Sequence, residues 1–418
     1  MEAILILFCI IFIGIAYFVK SEGGSFFLGR RDSGAISLAL SMSATWVGAA
    51  SLLALSGWAA TFGGSAIWYL LCPGIGLMLL SVFGVDSIRE KKGLMIADYH
   101  DNKYFQASIS IFLLVLYILI LSAQFTGFAK ISGLFDLNYI FGLILSACIV
   151  SIYVAIGGFD AVKNTDIVQV VLIFLSVVLI VMFMPYDIEF PQSSSIFSLD
   201  GGLPNSLFML FVSAGFMMFV AQENHQRIKA AKHAKDAKQA CFIAGIILIA
   251  FSFLIVSIGL SVPEQVKDPI SHIIAEVDSS ILSFFIAIGI MAATLSTADS
   301  ALNIASYSAF NIVKSSRMNV VYIFVCSVLA LIAAYLIASV GEIILICINL
   351  CIGVLLPVII STFLNKSSTV LMCVLLSSGA AVGVGYGLSW DAPGLVGLCV
   401  GAVFSFFSSA FRGRASEI

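Results

Sequence analysis

Four side chains that carry oxygen recur along one stretch of the chain at the spacing of a helix face. Ser296, Asp299, Ser300 and Asn303 stand at i, i+3, i+4 and i+7, so a helix would stack them in one stripe. The stretch is otherwise apolar, and a carboxylate inside a membrane helix costs roughly 2.5 to 3.5 kcal/mol. Hydroxyl and carboxylate oxygens are hard donors that suit sodium or a proton. We therefore expect this stripe to handle an ion.

A structural explanation of the same stripe stays open. Serine and threonine hydroxyls in helices often bond to the carbonyl one turn earlier, and Asp299 could meet a neighbouring helix. The hydroxyls alone fit that explanation as well as they fit an ion site. The added carboxylate favours ion handling.

The elements that position this stripe follow from composition. Hydrophobic residues make up 61% of the 418 positions and charged residues only 10%, which excludes an ordinary soluble domain. Apolar segments recur at the length that spans a bilayer as a helix. The pattern predicts an all-α integral membrane protein with thirteen transmembrane helices, near residues 3–19, 36–60, 65–85, 107–129, 139–156, 166–185, 206–222, 239–262, 280–302, 319–340, 342–364, 367–389 and 394–411.

The basic residues predict the orientation of these spans. If the N-terminus is outside, all of the 20 basic residues except Lys130 and Lys267 fall in loops that face the cytoplasm or in the C-terminal tail. The expected location is the cell (inner) membrane, with the C-terminus cytoplasmic. The polar segments 86–106 and 223–239 are then cytoplasmic, and the second is expected to be a solvated extension of its neighbouring spans.

Motifs for other chemistry do not occur in the sequence. The nine cysteines are scattered, and there is no CxxC pair set, HExxH, Walker A loop or GxSxG elbow. Zinc binding, ATP-driven transport and enzymatic hydrolysis therefore lack support. Nucleic acid is not expected as a partner because the basic residues are tied to membrane edges. The expected partners are the bilayer and a small solute, and no obligatory protein partner is indicated.

Two predicted spans contain residues that disfavour a continuous helix. Ser41–Ser51 clusters small and hydroxylated residues at mid-membrane, and Ser213-Ala-Gly215 does so five spans later. Helices unwind at such places in secondary transporters. We predict one transporter domain over 1–418, with a 19-residue first span, inverted five-helix repeats at about 36–185 and 206–364, and extra helices at about 367–411. Close helix packing through glycine and serine is the alternative.

Three stretches resemble the sodium/solute symporter family. They are Phe27-Leu-Gly-Arg-Arg-Asp-Ser-Gly34 continuing to Ala44-Thr-Trp-Val-Gly-Ala-Ala-Ser51, Ile156-Gly-Gly-Phe-Asp-Ala-Val162 with Thr165-Asp166, and Ala293-Thr-Leu-Ser-Thr297. Gln226-Arg227 and Leu356-Pro357 also look like family features. The resemblance runs along essentially the whole chain. It implies a LeuT-like inverted-repeat fold and import of an organic solute with sodium as the coupling ion, by alternating access.

The resemblance also implies the ion ligands. Its common sodium site would use the carbonyls of Ala44, Val47 and Ala293 and the hydroxyls of Ser296 and Thr297. A second cation in some members lies near an aspartate that matches Asp166, beside hydroxyl positions that are Asp299 and Ser300 here. The aspartate at 299 departs from that pattern. It would either strengthen a second cation site or convert it to a proton site.

The solute site is expected at mid-membrane, between the broken spans. The polar and aromatic candidates are Trp46, Ser51, Trp68, Tyr69, Gln124, Phe216, Phe219, Gln222 and Asn349. Because no Arg or Lys falls deep in the predicted spans, a dicarboxylate is disfavoured. We expect a small amino acid or similar zwitterion, or a monocarboxylate. A proton-coupled or channel-like carrier and a symporter-fold sensor stay open as alternatives.

Overall fold

The protein is a bundle of helices in the computed structural model, which describes residues 11–15, 17–18, 25–192, 196, 204–263, 266–315, 318–390 and 392–415. Within these residues the only β-type pairings are isolated bridges between Ser25 and Gly29 and between Ser33 and Ala231. From Ala35 onward the helices are α1 Ala35–Trp46, α2 Leu55–Phe62, α3 Trp68–Phe83, α4 Val85–Glu90, α5 Lys103–Gly133, α6 Tyr139–Phe183, α7 Asn205–Met217, α8 Gln222–Ala230, α9 Ala234–Leu260, α10 Pro269–Glu276, α11 Ser280–Val313, α12 Asn319–Leu336, α13 Val340–Leu350, α14 Leu356–Phe363, α15 Ser368–Gly387 and α16 Pro393–Ala415.

Nine helical stretches in the described part of the chain are long and apolar enough to cross a bilayer. They are Ala50–Phe83, Lys103–Gly133, Tyr139–Phe183, Asn205–Ala230, Ala234–Leu260, Ser280–Val313, Asn319–Leu336, Val340–Phe363 and Ser368–Gly387. Ala35–Trp46 and Pro393–Phe406 are shorter apolar helices. The predicted first span, residues 3–19, lies mostly outside the described residues. An all-helical membrane protein is therefore confirmed, whereas the count of thirteen spans stays a prediction.

The two predicted helix breaks are present. α1 ends at Trp46, Val47 leaves helical geometry with φ −95° and ψ 64°, and a π-helical turn at Ala50–Ala54 leads into α2. α7 ends at Met217, and α8 begins only at Gln222 after a run of turns. Gly48 directly follows Val47 at the first break, and glycine is a weak helix former. Backbone carbonyls are thereby freed inside the bundle.

α6 runs from Tyr139 to Phe183 and replaces the predicted loop between two spans. A straight helix of that length would be roughly 68 Å long, more than twice a bilayer core of about 30 Å. It is interrupted at Gly158, where φ is 55° and ψ is −141°. A side chain there would meet the carbonyl oxygen of Phe26 at 2.2 Å, and Phe159 N donates to that oxygen at 2.9 Å. Glycine therefore allows two crossings to join without a loop.

Helix α11 occupies the centre of the bundle. It packs most extensively against α5 and α6 and also contacts α1, while α9 packs against α3 and α1. This arrangement lays the Ser296–Asn303 stripe beside the break after α1. Ser296, Asp299, Ser300 and Asn303 are all buried. Their polar atoms therefore require partners within the protein.

The predicted solvated extension at 223–239 is wrong in its first half. Every residue of α8, Gln222–Ala230, is buried, and Arg227 is 0% exposed. Lys232 and Lys235, beyond α8, are exposed as predicted. The polar composition of α8 was misleading because its side chains meet partners inside the bundle. The sequence reasoning also missed that Arg227, which follows the predicted span 206–222, lies inside the bundle.

Candidate ion and solute site

Neutral oxygens from α1 and α11 converge beside the first break. The Ser296 hydroxyl lies 2.8 Å from the Ala44 carbonyl oxygen and 2.9 Å from that of Ala293. The Thr297 hydroxyl lies 2.7 Å from the carbonyl oxygen of Thr45 and 3.4 Å from that of Ala293. We call Ala44, Thr45, Ala293, Ser296 and Thr297 the neutral cluster. These oxygens suit a bare monovalent ion such as sodium.

The neutral cluster matches the expected sodium ligands except at one carbonyl. Hydrogen bonds connect the Ser296 and Thr297 hydroxyls to the Ala44 and Ala293 carbonyls. Thr297 also bonds to the Thr45 carbonyl, which the sequence reasoning missed. Val47 lies in the break itself, at the end of α1. Gly48 is required next to it, because a Cβ there would stand 2.2 Å from Thr297 Oγ1. The helix break therefore brings backbone against the hydroxyls of α11.

A charged cluster lies one helical turn further along the same two helices. The Asp166 Oδ2 atom accepts from Arg227 Nη2 at 2.9 Å and from the Ser41 hydroxyl at 2.5 Å. Both charged side chains are 0% exposed. Arg227 also donates to Ser41 Oγ at 2.8 Å, Thr45 Oγ1 at 2.6 Å and Ser300 Oγ at 2.8 Å. The Arg227 guanidinium is thus a cation of the protein itself that lies directly beside Asp166.

Asp299 belongs to the same cluster but has different partners. Its Oδ2 atom accepts from the Tyr153 hydroxyl at 2.7 Å and, more weakly, from Thr165 at 3.4 Å. Its Oδ1 atom lies 3.3 Å from Ser300 Oγ. No basic side chain in the described residues forms an ion pair with Asp299. We call Asp166, Asp299, Ser300, Arg227 and Tyr153 the charged cluster.

The charged cluster holds two carboxyl groups and one guanidinium. If both carboxyl groups are ionised, it carries one excess negative charge, and a buried uncompensated charge is costly. The Asp166 Oδ1 atom is buried and has no hydrogen-bond partner within the described part of the protein. An unpartnered oxygen and an excess charge both fit one additional small cation or proton.

A cavity of about 70 Å³ opens between the first break and the neighbouring helices. Four expected solute residues line it, namely Trp46, Ser51, Tyr69 and Gln124. Thr45 and Thr297 of the neutral cluster line it as well. The Gln124 Oε1 atom accepts from Ala49 N at 2.9 Å, which fixes the broken segment against α5. A bound solute would therefore lie next to the neutral cluster.

Glu223 also lines this cavity, which the sequence reasoning did not anticipate. It lies in the first turn of α8, directly after the second break, and is 8% exposed. Its Oε2 atom accepts a hydrogen bond from the Tyr117 hydroxyl. Within the described residues no basic side chain forms an ion pair with it. The cavity wall thus combines one carboxylate with the Trp46 and Tyr69 rings.

The other solute candidates lie elsewhere. Phe216 and Phe219 line a separate apolar cavity together with Phe83 and Phe363, and Phe216 is 54% exposed. Trp68 donates to the Ile196 carbonyl at 2.9 Å. The Gln222 Oε1 atom accepts from Ile96 N at 2.9 Å, and the Asn349 Oδ1 atom accepts from Gly394 N at 2.7 Å. None of these five side chains lines the central cavity.

A helical bundle with two broken helices around a central cavity defines the class of protein as a secondary membrane transporter. The sequence pattern of the Sodium:solute symporter family matches residues 26–280, which is more than half of the chain. The chain therefore belongs to the sodium:solute symporter family, whose members are transporters and not enzymes.

Three similar proteins, all named as transporters, agree with this family assignment. The chain is 31% identical over 182 residues to the sodium/pantothenate symporter of Haemophilus influenzae, covering 40% of this chain and 37% of that protein. It is 29% identical over 178 residues to the osmoregulated proline transporter OpuE of Bacillus subtilis, covering 40% and 36%. It is 26% identical over 185 residues to sodium/proline symporter 2 of Staphylococcus saprophyticus, covering 41% and 36%. The aligned parts span just over a third of each relative's length.

Solved structures agree with the fold. A sodium-coupled sialic acid symporter in a substrate-bound outward-open state superposes with a TM-score of 0.80, at 18% identity and coverage of 98% of this chain and 97% of that one. Mhp1, a nucleobase-cation-symport-1 family transporter in a closed conformation, gives a TM-score of 0.62 at 15% identity, covering 96% and 94%. At these identities the likeness concerns the fold.

Proposed function

We propose that this protein is a sodium-coupled symporter that imports a small zwitterionic solute by alternating access. The observation that carries the proposal is the convergence of the Ala44 and Thr45 carbonyls with the Ser296 and Thr297 hydroxyls at a helix break. A sodium ion held there would join α1 to α11 beside the cavity. Solute and ion would then stabilise the same arrangement of helices, which is the requirement for coupling.

The proposed architecture has thirteen spans, with the N-terminus outside and the C-terminus in the cytoplasm of the cell membrane. Inverted five-helix repeats at about 36–185 and 206–364 would each begin with a broken helix. The breaks after Trp46 and Met217 support this layout, because they occur at equivalent positions in the two proposed repeats. The asymmetry of the basic residues supports the orientation.

Glu223 supports a solute that carries a protonated amine. A carboxylate without a basic partner, next to the Trp46 and Tyr69 rings, suits an ammonium group through ionic and cation–π contacts. The carboxylate of a zwitterion could be met by the bound sodium. Pantothenate has a carboxylate but no amine, whereas proline has both. We therefore propose an amino acid over a simple monocarboxylate.

Uptake into proteoliposomes tests both parts of the proposal. Labelled proline and labelled pantothenate are offered with an inward sodium gradient and with potassium in place of sodium. We expect sodium-dependent uptake of proline-type zwitterions. Glu223→Gln should weaken proline uptake roughly tenfold or more, because a hydrogen bond to a charged group contributes about 1.5 to 3 kcal/mol.

Tyr117→Phe is the matched control for Glu223→Gln, because it removes the hydrogen bond to Glu223 and keeps the charge. It should reduce proline uptake less than Glu223→Gln does. If neither proline nor pantothenate is taken up on the sodium gradient, the proposal of a proline-type solute is contradicted and other labelled solutes are tested. Solute uptake that proceeds equally in potassium would contradict sodium coupling.

A proton-coupled carrier is the second candidate. Asp299 favours it, because Arg227 already neutralises Asp166 and leaves Asp299 without a basic partner. A proton on Asp299 would balance the charged cluster as well as a second sodium ion would. Solute uptake driven by an inward proton gradient in sodium-free medium would support this candidate.

A further inference from the structure

A second cavity, of about 290 Å³, is lined by basic side chains and lies away from the proposed transport site. We call it the basic pocket, and its charged residues are Arg31, Arg89, Lys91, Lys92, Lys229 and Lys232. They come from three separate parts of the chain, namely the segment before α1, the end of α4 with its following loop, and the junction of α8 and α9. Such convergence is not a consequence of one basic run.

Hydrogen bonds to backbone atoms hold these three segments together. Lys232 N donates to the Ser33 carbonyl at 3.0 Å, and Ser33 N donates to the Ala230 carbonyl at 3.3 Å. Arg89 Nη1 donates to the carbonyls of Ile228 at 2.8 Å and Ala231 at 3.0 Å. The cations are therefore gathered by the fold itself, and the pocket is a built feature.

The basic pocket carries a concentration of positive charge without ion-pair partners among the described residues. No carboxylate lines it, and none of its six cations forms an ion pair with any residue in the described ranges. The Asp98 carboxylate attracts the Lys229 ammonium but does not form an ion pair with it. Its oxygens already accept from Leu94 N, Met95 N, Tyr307 and Asn311. Crowded like charges repel one another, and a bound anion would relieve that repulsion.

Apolar residues near the basic pocket indicate that it lies at headgroup depth. Leu364, next to Phe363 in the chain, is 61% exposed, and Phe83, which lines an apolar cavity together with Phe363, is 70% exposed. The Lys91 ammonium lies 5.8 Å from the centre of the Phe363 ring, so the stem of this lysine runs along apolar surface. Cations next to exposed apolar side chains are typical of the boundary between lipid tails and headgroups.

We propose that the basic pocket binds an anion that carries a phosphate group. Arginine forms paired hydrogen bonds with phosphate oxygens, and lysine adds point charges around them. The phosphate could come from an anionic phospholipid headgroup or from free phosphate in solution. The proposal is independent of the transported solute, because none of the six basic residues lines the central cavity.

Two lysine pairs provide the test. Lys92 and Lys232 are exposed members of the basic pocket, whereas Lys103 and Lys235 are exposed lysines outside its lining. The pocket pair is Lys92→Gln with Lys232→Gln, and the control pair is Lys103→Gln with Lys235→Gln. Both remove two positive charges at exposed positions. Size-exclusion chromatography and circular dichroism check that each variant folds.

The lipid arm uses nanodiscs of phosphatidylcholine with and without phosphatidylglycerol, and native mass spectrometry counts the retained lipids. The wild-type protein and the control pair should retain phosphatidylglycerol over phosphatidylcholine. The pocket pair should bind it roughly tenfold more weakly or worse, since each lysine contributes about 1 kcal/mol towards an anionic lipid.

The second arm titrates inorganic phosphate onto detergent-solubilised protein at constant ionic strength and follows thermal unfolding. Stabilisation of the wild-type protein and control pair, lost in the pocket pair, assigns the pocket to free phosphate. If the pocket pair loses phosphatidylglycerol binding but responds to inorganic phosphate as the wild-type protein does, the pocket is assigned to a phospholipid. Equal behaviour of all three proteins towards both probes, or equal losses in the two variant pairs, overturns the proposal.

Discussion

The neutral cluster lies between α1 and α11, and the charged cluster lies one helical turn further along α11, where residues of α6 and α8 meet it. The two clusters differ in how their buried polar groups are compensated. The neutral cluster has only carbonyls and hydroxyls. The charged cluster carries its own cation, Arg227, bonded to Asp166. Neutral oxygens can hold and release a soluble cation because they remain uncharged when it leaves. A tethered guanidinium stays with its carboxylate.

This difference assigns different roles to two neighbouring carboxylates. Asp166 accepts hydrogen bonds from Arg227 and Ser41 through Oδ2, which ties it to α8, while its Oδ1 atom has no partner within the described residues. Asp299 is bonded to Tyr153 and has no basic partner within the described residues. Asp299 therefore lacks the charge compensation that Arg227 gives to Asp166. Substitutions that remove individual charged or neutral groups of the two clusters test this difference.

The largest effect is expected from Arg227→Met. It leaves Asp166 buried without a cation, and breaking a buried ion pair in this way costs about 3–5 kcal/mol of stability. Denaturant unfolding of the purified protein in detergent measures the loss. Combining Arg227→Met with Asp166→Asn should recover most of it. An equal loss with and without Asp166→Asn would show that the guanidinium acts through other contacts.

The next effect is expected from Ser296→Ala with Thr297→Ala. Two ligand oxygens of the neutral cluster disappear, and sodium affinity should fall roughly a hundredfold. Binding of radioactive sodium to purified protein measures this without any solute. The control is Thr294→Ala with Ser308→Ala, since those hydroxyls on the same helix bond back to its own carbonyls. Unchanged sodium affinity would exclude the neutral cluster as the sodium site.

A smaller effect is expected from Asp299→Asn, which keeps the shape and removes the charge. The number of charges carried per solute should fall by one, or the pH dependence of uptake should disappear if the ion is a proton. The ratio of current to solute flux at two pH values measures both. Tyr153→Phe is the control, because it removes a hydrogen bond to Asp299 and keeps the charge. An unchanged ratio and pH profile in Asp299→Asn would make this carboxylate structural.

Each half of the neutral cluster has a local sequence pattern, whereas the pairing of Ala44 with Ser296 and Thr297 was expected from the family resemblance. Ser296 and Thr297 stand one turn after Ala293, so helix geometry alone brings the hydroxyls to that carbonyl. Small and hydroxylated residues around Ala44 predicted the break that frees its carbonyl. The choice of Thr45 over Val47 as a contact of Thr297 depends on how the broken segment turns, which no local pattern encodes.

The charged cluster was only half predictable. The sequence marked Asp166 and Asp299 as unusual, because carboxylates in apolar helices are rare. It did not reveal that Arg227 pairs with Asp166, because Arg227 lies 61 residues away in a run that has the composition of a solvated basic loop. Glu223, in the same run, was missed for the same reason. A charged residue beside a helix break has the same local pattern whether the segment leaves the bundle or folds back into it.

The amino-acid sequence was sufficient to identify a helical membrane protein with broken helices and a stripe of oxygen-bearing side chains. Hydropathy, helix periodicity and helix-breaking residues act over one or two turns, so they can be read from neighbouring residues. Only the tertiary structure decided which charges are compensated, which aromatic side chains reach the central cavity and where six basic residues gather. Those outcomes depend on contacts between segments far apart in the chain, and burial changes the energy of a charge far more than its neighbours in sequence do.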